Sequence, residues 1–394
     1  FDNDGIKLAR DSTFIAPSGE WNRATYSVIL WTKNGDNYER VGADRYNGNN
    51  IDGWGKLSDI TLSAPQSTTG NESTPEWQEH YENGWPDYRL GLDGTMTGTW
   101  KITASFKLAG TAYEVSCSVT RKAAVEKTIN AEDVDTLDKL NTKLKEIIEE
   151  ASTEPQWYYV YLPLQTYEGT VVIPAEGTNS GRKIVYLCGS TASSGTKTAI
   201  KGGIRSDNDL LVVQNIHFTG AGRSMETLTD GTTPNSALYG SGKVDSDRCT
   251  FEGYDKAMVW EGNRRLFGRD NTYQNNNIAW YVDLSNGDVS GSTQGVGTTF
   301  ENNSCAIYVA SVGSLEYTGE ITDYTGNNVF RNNVTDIRND SGRPWFMPAN
   351  YFVQTDATGN ETLELKYATN SHLGVSCYPM CKDDTFYYDY KQGT

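Results

Sequence analysis

Groups that could do acid–base chemistry are few and unevenly placed. The chain has 394 residues and three histidines, His80, His217 and His372. One segment, DRCTFEGYDKAMVWEGNRRLF at residues 247–267, brings Arg248, Glu252 and Asp255 close in sequence, and Asp270 follows it. A carboxylate beside an imidazole or a second carboxylate can transfer protons. An arginine beside them can grip a substrate carboxylate with two hydrogen bonds. Whether these residues meet, and whether His217 joins them, depends on the elements that carry them.

Those elements repeat. FEGYDKAMVW (251–260), YQNNNIAWYV (273–282), FENNSCAIYV (300–309) and FRNNVTDIRN (330–339) share an aromatic start, Gly or Asn at the third place and a mostly apolar tail. With the aromatic as position zero, Phe218, Phe251, Tyr273, Phe300 and Phe330 are separated by 33, 22, 27 and 30 residues. A constant phrase at variable spacing means equivalent strands joined by loops of different length, stacked so that neighbours bury a shared core. Position +2 holds Gly253, Asn275, Asn302 and Asn332, residues that tolerate positive φ and, as Asn, could hydrogen-bond from rung to rung. Positions +7 (Met258, Trp280, Ile307, Ile337) and +9 (Trp260, Val282, Val309, Asn339) should point inward. Position +8 (Val259, Tyr281, Tyr308, Arg338) should point outward.

The outward ladders set the candidate chemistry. At −3 stand Asn215, Arg248, Asp270, Gly297 and Asn327; at −1, His217, Thr250, Thr272, Thr299 and Val329; at +1, Thr219, Glu252, Gln274, Glu301 and Arg331. This register predicts His217, Arg248, Glu252 and Asp270 on neighbouring rungs of one face. They could form an acid–base pair with a cation that holds a uronate carboxylate. They could equally be a solvated face with ordinary cross-rung ion pairs. Tyr281 and Tyr308, with Arg338, could give pyranose rings a flat platform, or could pack beneath the loop at 287–297. Arg331 is a further candidate binding residue.

Stacked coils of this kind resemble the right-handed parallel β-helix of the pectin-lyase-like superfamily over roughly half the chain. YLPLQTYEGTVVIP (161–174) looks like its first strand, and GGIRSDNDLLVVQNIHFTGAG (202–222) like its first full coil. Residues 247–267 also resemble the pectin methylesterase segment F-x-G-Y-Q-D-T-L-Y, and GRPW (342–345) matches that family's L-G-R-P-W. This resemblance implies that Asp255 lies near a catalytic Asp and that Arg343 is the catalytic Arg. The chemistry would use two carboxylates, one nucleophile and one acid–base, with a cation positioning them. The chain departs from that pattern: Tyr254-Asp255 is one residue short, and Asn276, Asn277, Ile278 and Ala279 stand where the second Asp belongs. The adjacent Asp pair of polygalacturonases is absent from the repeat. Asp245, Asp247, Glu252 and Asp255 could supply oxygens to calcium, as pectate lyases require, or be loop acids. No Ser-His-Asp order, P-loop or zinc motif is present.

Four regions follow. Residues 1–125 read as a β-sandwich. Residues 98–122 are two alternating strands about the turn LAGTA and resemble the last hairpin of bacterial immunoglobulin-like modules. Trp54, Trp77 and Trp85 precede it, as packing residues or sugar-stacking ones. Residues 126–155 are a linker and helix. Val134, Leu137, Leu140, Leu144, Ile147 and Ile148 share one helical face over 130–151, with Asn130 as N-cap and Glu132 and Asp133 in the first turn. Such a helix can cover the open end of a β-solenoid. Residues 156–350 are the β-helix, and 351–394 a last strand and cap.

The totals exclude some partners. Net charge is −17 and the pI about 4.7, which argues against nucleic acid. No apolar run reaches the ~20 residues of a membrane helix. The start at Phe1, without Met or leader, reads as a mature region. Of six cysteines, only Cys377 and Cys381 are close enough in sequence for a local disulfide; buried single thiols are the reading for the rest. The fold expected is all-β: a sandwich, then a helix-capped right-handed parallel β-helix. The function expected is recognition of polysaccharide by a secreted or cell-surface bacterial protein, without a required cofactor. The rivals are a lyase, hydrolase or esterase, and a non-catalytic adhesin.

Overall fold

The computed structural model describes the backbone of residues 6–8, 12–16, 22–26, 28–34, 37–44, 50–51, 55–68, 75–82, 85–92, 96–177, 182–208, 210–261, 266–284, 294–312, 328–340, 351–355 and 358–364, with most side chains from residue 58 onward. The chain divides into two compact units, Phe1–Val125 and Glu126–Thr394.

In the first unit, alternation builds the longest strand pair. Gly98–Leu108 and Thr111–Ala123 run antiparallel in unbroken register. The turn residues Ala109 and Gly110 both have positive φ, 48° and 83°, as tight hairpin turns of this hand require. Trp100, Ile102, Ala104, Phe106 and Leu108 are buried, which makes one face of the strand core. On the partner strand Cys117 and Val119 are buried, while Tyr113 is exposed near the hairpin tip. Gly55–Leu62 pairs antiparallel on one side and Ser12–Ala16 parallel on the other. Asn50–Ile51 and Gln66–Ser67 join the same sheet, and two three-stranded antiparallel sheets hold Ile6–Leu8, Val28–Asn34 and Asn37–Asp44, and Asn22–Tyr26, Trp85–Leu92 and Glu76–Glu82. The side chains of Trp54, Trp77 and Trp85 lie outside those described.

The second unit is a parallel β-helix. One coil shows the plan. Val244–Asp247 lies in a first sheet, Thr250–Glu252 in a second and Lys256–Glu261 in a third. Sharp corners separate them. At −3, Asn215, Arg248, Asp270 and Gly297 have φ of 56°, 53°, 52° and 64°. At +2, Gly253, Asn275, Asn302 and Asn332 have φ of 76°, 56°, 56° and 51°. The +2 turn was expected. The −3 corner corrects the sequence reading, which put those residues on an outer sheet face.

The strands pair in parallel at the expected register. Phe218, Phe251, Tyr273, Phe300 and Phe330 are successive partners, and Phe352 extends the column one rung further. All six rings are buried. Successive centroids lie 4.9, 4.5, 5.3, 4.9 and 4.9 Å apart with near-parallel planes. Each such contact contributes roughly 0.5–1.5 kcal/mol beyond area burial. Met258, Trp280, Ile307 and Ile337 form a second inward column, and Trp260, Val282 and Val309 a third.

Polar ladders lock the corners. At +2, as expected, amides reach across rungs: Asn275 Nδ2 donates to Glu252 Oε1 at 3.2 Å and Asn332 Oδ1 accepts from Thr355 N at 2.9 Å; the buried asparagine ladder stands one residue on, at +3. Asn276, Asn303 and Asn333 are buried. Asn303 Oδ1 accepts from Asn276 N at 3.0 Å, while its Nδ2 donates to Tyr273 O at 3.0 Å and Asn333 Oδ1 at 2.9 Å. Asn276 Oδ1 accepts from Tyr254 N, and Asn333 Oδ1 from Asn303 N, both at 3.0 Å. A second set at −2 repeats the device: Asn271 Oδ1 accepts from Cys249 N at 2.8 Å and Asn328 Oδ1 from Thr298 N at 3.0 Å.

The helix is Leu137–Glu149, shorter than predicted. Residues Ala131–Asp133 form a 3-10 turn instead, and Thr136 is the N-cap, accepting from Lys139 N at 3.2 Å. Asn130 makes no side-chain cap. Leu140, Leu144, Ile147 and Ile148 are buried in the solenoid core. Asn141 completes the lid: it donates to Thr170 O at 3.1 Å and accepts from Val172 N at 2.9 Å. The backbone of the first coil's Thr166–Ile173 thus meets a helix side chain rather than an open edge.

The ladder predicts unequal costs at two adjacent asparagines. Asn303→Ala strands buried backbone groups, each costing about 1–3 kcal/mol, and should lower the melting midpoint by several degrees. Asn302→Gly, at an exposed corner with positive φ, should change it little. Thermal denaturation followed by circular dichroism compares the two; equal shifts would refute the assignment.

Candidate functional site

The second sheet presents two polar columns outward. In register, Glu168, Lys201, Thr219, Glu252, Gln274, Glu301 and Arg331 occupy successive rungs at +1. Beside them at −1 run Thr166, Ala199, His217, Thr250, Thr272, Thr299 and Val329. Hydrogen-bonding groups therefore stand about 4.8 Å apart along the solenoid axis.

Of the expected site residues, the structure brings His217 and Glu252 together. His217 Nε2 lies 3.5 Å from Glu252 Oε2. That nitrogen is covered and makes no hydrogen bond, although the side chain as a whole is 38% exposed. Glu252 also accepts from Gln274 Nε2 at 3.0 Å and Asn275 Nδ2 at 3.2 Å. An imidazole beside a carboxylate is acid–base equipment, held here by cross-rung amides.

The other expected residues do not converge with this pair. Arg248 stands at the −3 corner and donates through Nε and Nη2 to Asp247 at 3.1 and 2.9 Å. Asp247 belongs to the first sheet and also accepts from Arg269 Nε at 3.3 Å. The Arg248 cation is thus held by a carboxylate outside the second sheet and does not reach the patch. Asp270 is exposed at the next −3 corner. Asp255 lies past the opposite corner, accepting from Asn277 Nδ2 at 2.7 Å. The four acids weighed as a calcium set are therefore divided, with Asp245 and Asp247 on the first sheet and Glu252 on the second. Among the described residues no group of three or more His, Cys, Asp or Glu is arranged to hold a metal ion. Arg343, Cys377 and Cys381 lie outside the described residues. Cys117 and Cys249 are buried thiols and Cys188 and Cys305 half-buried ones, none of the four in a disulfide.

Tyr281 and Tyr308 occupy adjacent rungs of the third sheet, as the register requires. They make no flat platform. Their planes meet at 70°, Lys256 Nζ lies 4.1 Å from the Tyr281 centroid, and the Arg338 guanidinium carbon 4.5 Å from that of Tyr308. Cations over both rings compete with a sugar for their faces. Arg338 is further held by Asp340. Arg331 stands on the second sheet, opposite Glu301.

A cavity of about 280 Å³ opens at the first rungs of the polar stripe, lined by Glu168, Gly169, Thr170, Lys201, Thr219 and Asp230 among others. The sequence reading missed it. Lys201 Nζ lies 3.4 Å from Glu168 Oε1. The wall rises from the loop between Thr219 and Leu238. Buried Asn235 ties that loop down, donating to Gly222 O at 3.0 Å and Met225 O at 2.7 Å and accepting from Ala221 N at 3.0 Å. At its tip Asp230 accepts from the backbone of Thr232 and Thr233 at 2.9 and 2.8 Å and from the Thr233 hydroxyl. One signal was available: +2 is Gly at 169, 202, 220 and 253, then Asn at 275, 302 and 332. The corner lacks side chains where the cavity lies.

Among the described residues, the carboxylates whose values are resolved as shifted, Glu150, Asp207 and Asp230, are all lowered. Hydrogen bonds from Thr233 and Thr232 bring Asp230 from 3.8 to about 2.

No protein-family model matches this chain, and no curated protein matches it. Among solved structures it is similar to the family 28 exopolygalacturonase of Yersinia enterocolitica, with 8% identity and a TM-score of 0.23 over 91% of this chain and 83% of that one. At that score the likeness carries no weight for fold or activity. Among the described residues no helix is long and apolar enough to cross a membrane.

The Asp230 turn yields a test. Its folded pKa lies below the ordinary value, so the group contributes stability above that value, and the contribution is lost as pH falls from 3.8 toward about 2. Carbon-13 titration of the Asp230 carboxyl should give a midpoint near 2, and Thr233→Ala should move it upward. A midpoint near 3.8 in the unaltered protein would show that the turn does not form.

Proposed function

We propose that this chain recognises polysaccharide along the outer face of the second sheet. The observation that carries the reading is the seven-rung polar column, which runs from the cavity at Glu168 and Lys201 to Arg331 with the hydroxyls of Thr250, Thr272 and Thr299 beside it. A glycan lying along the axis would meet donors and acceptors at regular intervals. Such groups fix orientation and specificity in sugar sites, where ring hydroxyls need polar partners. A secreted or cell-surface setting belongs to this proposal and rests on composition. An immunoglobulin-like identity for the first unit rests on one hairpin.

An enzymatic reading, as lyase, hydrolase or esterase, is supported by one contact, His217 with Glu252. The imidazole would act as base and the carboxylate would orient it. A non-catalytic adhesin is the reading left if no glycan is bound.

A panel of neutral, amino-bearing and uronate polysaccharides decides between them. Binding is followed by affinity electrophoresis, and turnover by reducing ends, unsaturated product and methanol. The proposal expects retardation by at least one polysaccharide without product. Glu252→Ala should weaken that binding about tenfold, the equivalent of one charge-assisted hydrogen bond. Product formation abolished by His217→Ala would establish the enzyme instead. Folded protein that binds nothing in the panel would refute the proposal.

A further inference from the structure

The cavity at the start of the stripe has a shape and charge that select among sugars. Its floor is backbone. A Cβ on Gly202 would sit 2.1 Å from Gly169 O, and one on Gly220 would sit 2.4 Å from Gly253 O. No side chain can occupy these positions without moving backbone, so the recess is fixed by the coil itself. Its wall is equally fixed, because Asn235 satisfies three backbone groups of the loop from a buried position. A volume of about 280 Å³ falls just under the roughly 300–1,000 Å³ of sites for drug-sized ligands. It suits one pyranose ring and its substituents.

The charged groups of the lining are two carboxylates, Glu168 and Asp230, and one ammonium, Lys201. Lys201 is already engaged by Glu168, so the Asp230 charge has no partner cation in the lining. The low pKa of Asp230 keeps that charge in place at ordinary pH. Along the column beyond the cavity come Glu252 and Glu301 before the next cation, Arg331. A carboxylate brought in on a ligand would meet two carboxylates and one already engaged ammonium in the cavity, and Glu252 and Glu301 on the column before Arg331. Sugar hydroxyls and amines, by contrast, are donors that carboxylates accept from.

We propose that this cavity is a subsite for a single non-anionic sugar residue, neutral or amino-bearing, and that it discriminates against uronates. The inference rests on the glycan-binding reading above and gives its substrate class. It departs from the uronate patch expected from sequence, because Arg248 is held by Asp247 at the corner.

Isothermal titration of the full chain with xylo-oligosaccharides, chitosan oligosaccharides and oligogalacturonates tests it. A xylo- or chitosan oligosaccharide should bind at least tenfold more tightly than oligogalacturonate at low salt, and for chitosan the gap should narrow as salt screens the charges. Glu168→Lys, at an exposed position, should shift the preference toward oligogalacturonate. Thr219→Trp should fill the cavity and abolish binding. Tighter binding of oligogalacturonate by the unaltered chain overturns the subsite while leaving the glycan reading intact. So does an unchanged preference in Glu168→Lys, or binding that survives Thr219→Trp. Absence of binding to all three classes and to the wider panel, from folded protein, overturns the glycan reading and this subsite with it.

Discussion

A buried asparagine amide shared between neighbouring coils is the interaction on which the second unit depends. At each +3 corner one amide accepts from the backbone N–H of the preceding coil and donates to that coil's carbonyl. The corner has positive φ and cannot continue either strand's ladder, so its backbone groups need this partner. A slip of one residue would put Asn302 inside and Asn303 outside and would reverse every side chain along the strand. The aromatic column adds burial in the same register. Together they explain why connecting loops can vary in length while strands and corners cannot.

That register creates the outer face. Once Phe218 lies over Phe251, Thr219 must lie beside Glu252 and His217 beside Thr250. The polar columns thus follow from the core rather than from any local preference of their own. The same geometry disposes of cations. Arg248, at a corner, turns to Asp247, and Lys256 and Arg338 settle over tyrosines of the third sheet. The cavity exists because the +2 corner carries glycine on the early rungs, and because one non-repeating loop is tied beside it by Asn235.

Much of the fold was legible in the sequence. Hydrophobic alternation placed Met258, Trp280, Ile307 and Ile337 inside, and Gly or Asn at +2 marked the positive-φ corner. The consecutive asparagines hid the ladder, because Asn275-Asn276 and Asn302-Asn303 look alike while the first is a solvent-facing turn residue and the second a buried amide. Arg248 misled because arginine is rare at positive φ, and Asp270 because the outward register was read ahead of aspartate's tolerance of the left-handed region. The helix start was misplaced by several residues because Asn130 opens a 3-10 turn before Thr136 caps. Of the site, Glu252 and His217 were legible through register alone. Glu168, Lys201 and Asp230 were not, since the first coils carry Tyr167 and Ile200 at position zero without the repeated phrase, and Asp230 sits on a loop with no period.

Hydrogen–deuterium exchange with and without saturating saccharide tests the central claim most directly, because it reports where the ligand lies regardless of which sugar binds. Added protection is expected in Thr166–Ile173, in Thr198–Ser206 and in the loop at residues 220–236, extending along the second sheet for longer chains. Protection confined to the third sheet, around Tyr281 and Tyr308, or to the first unit, would contradict it.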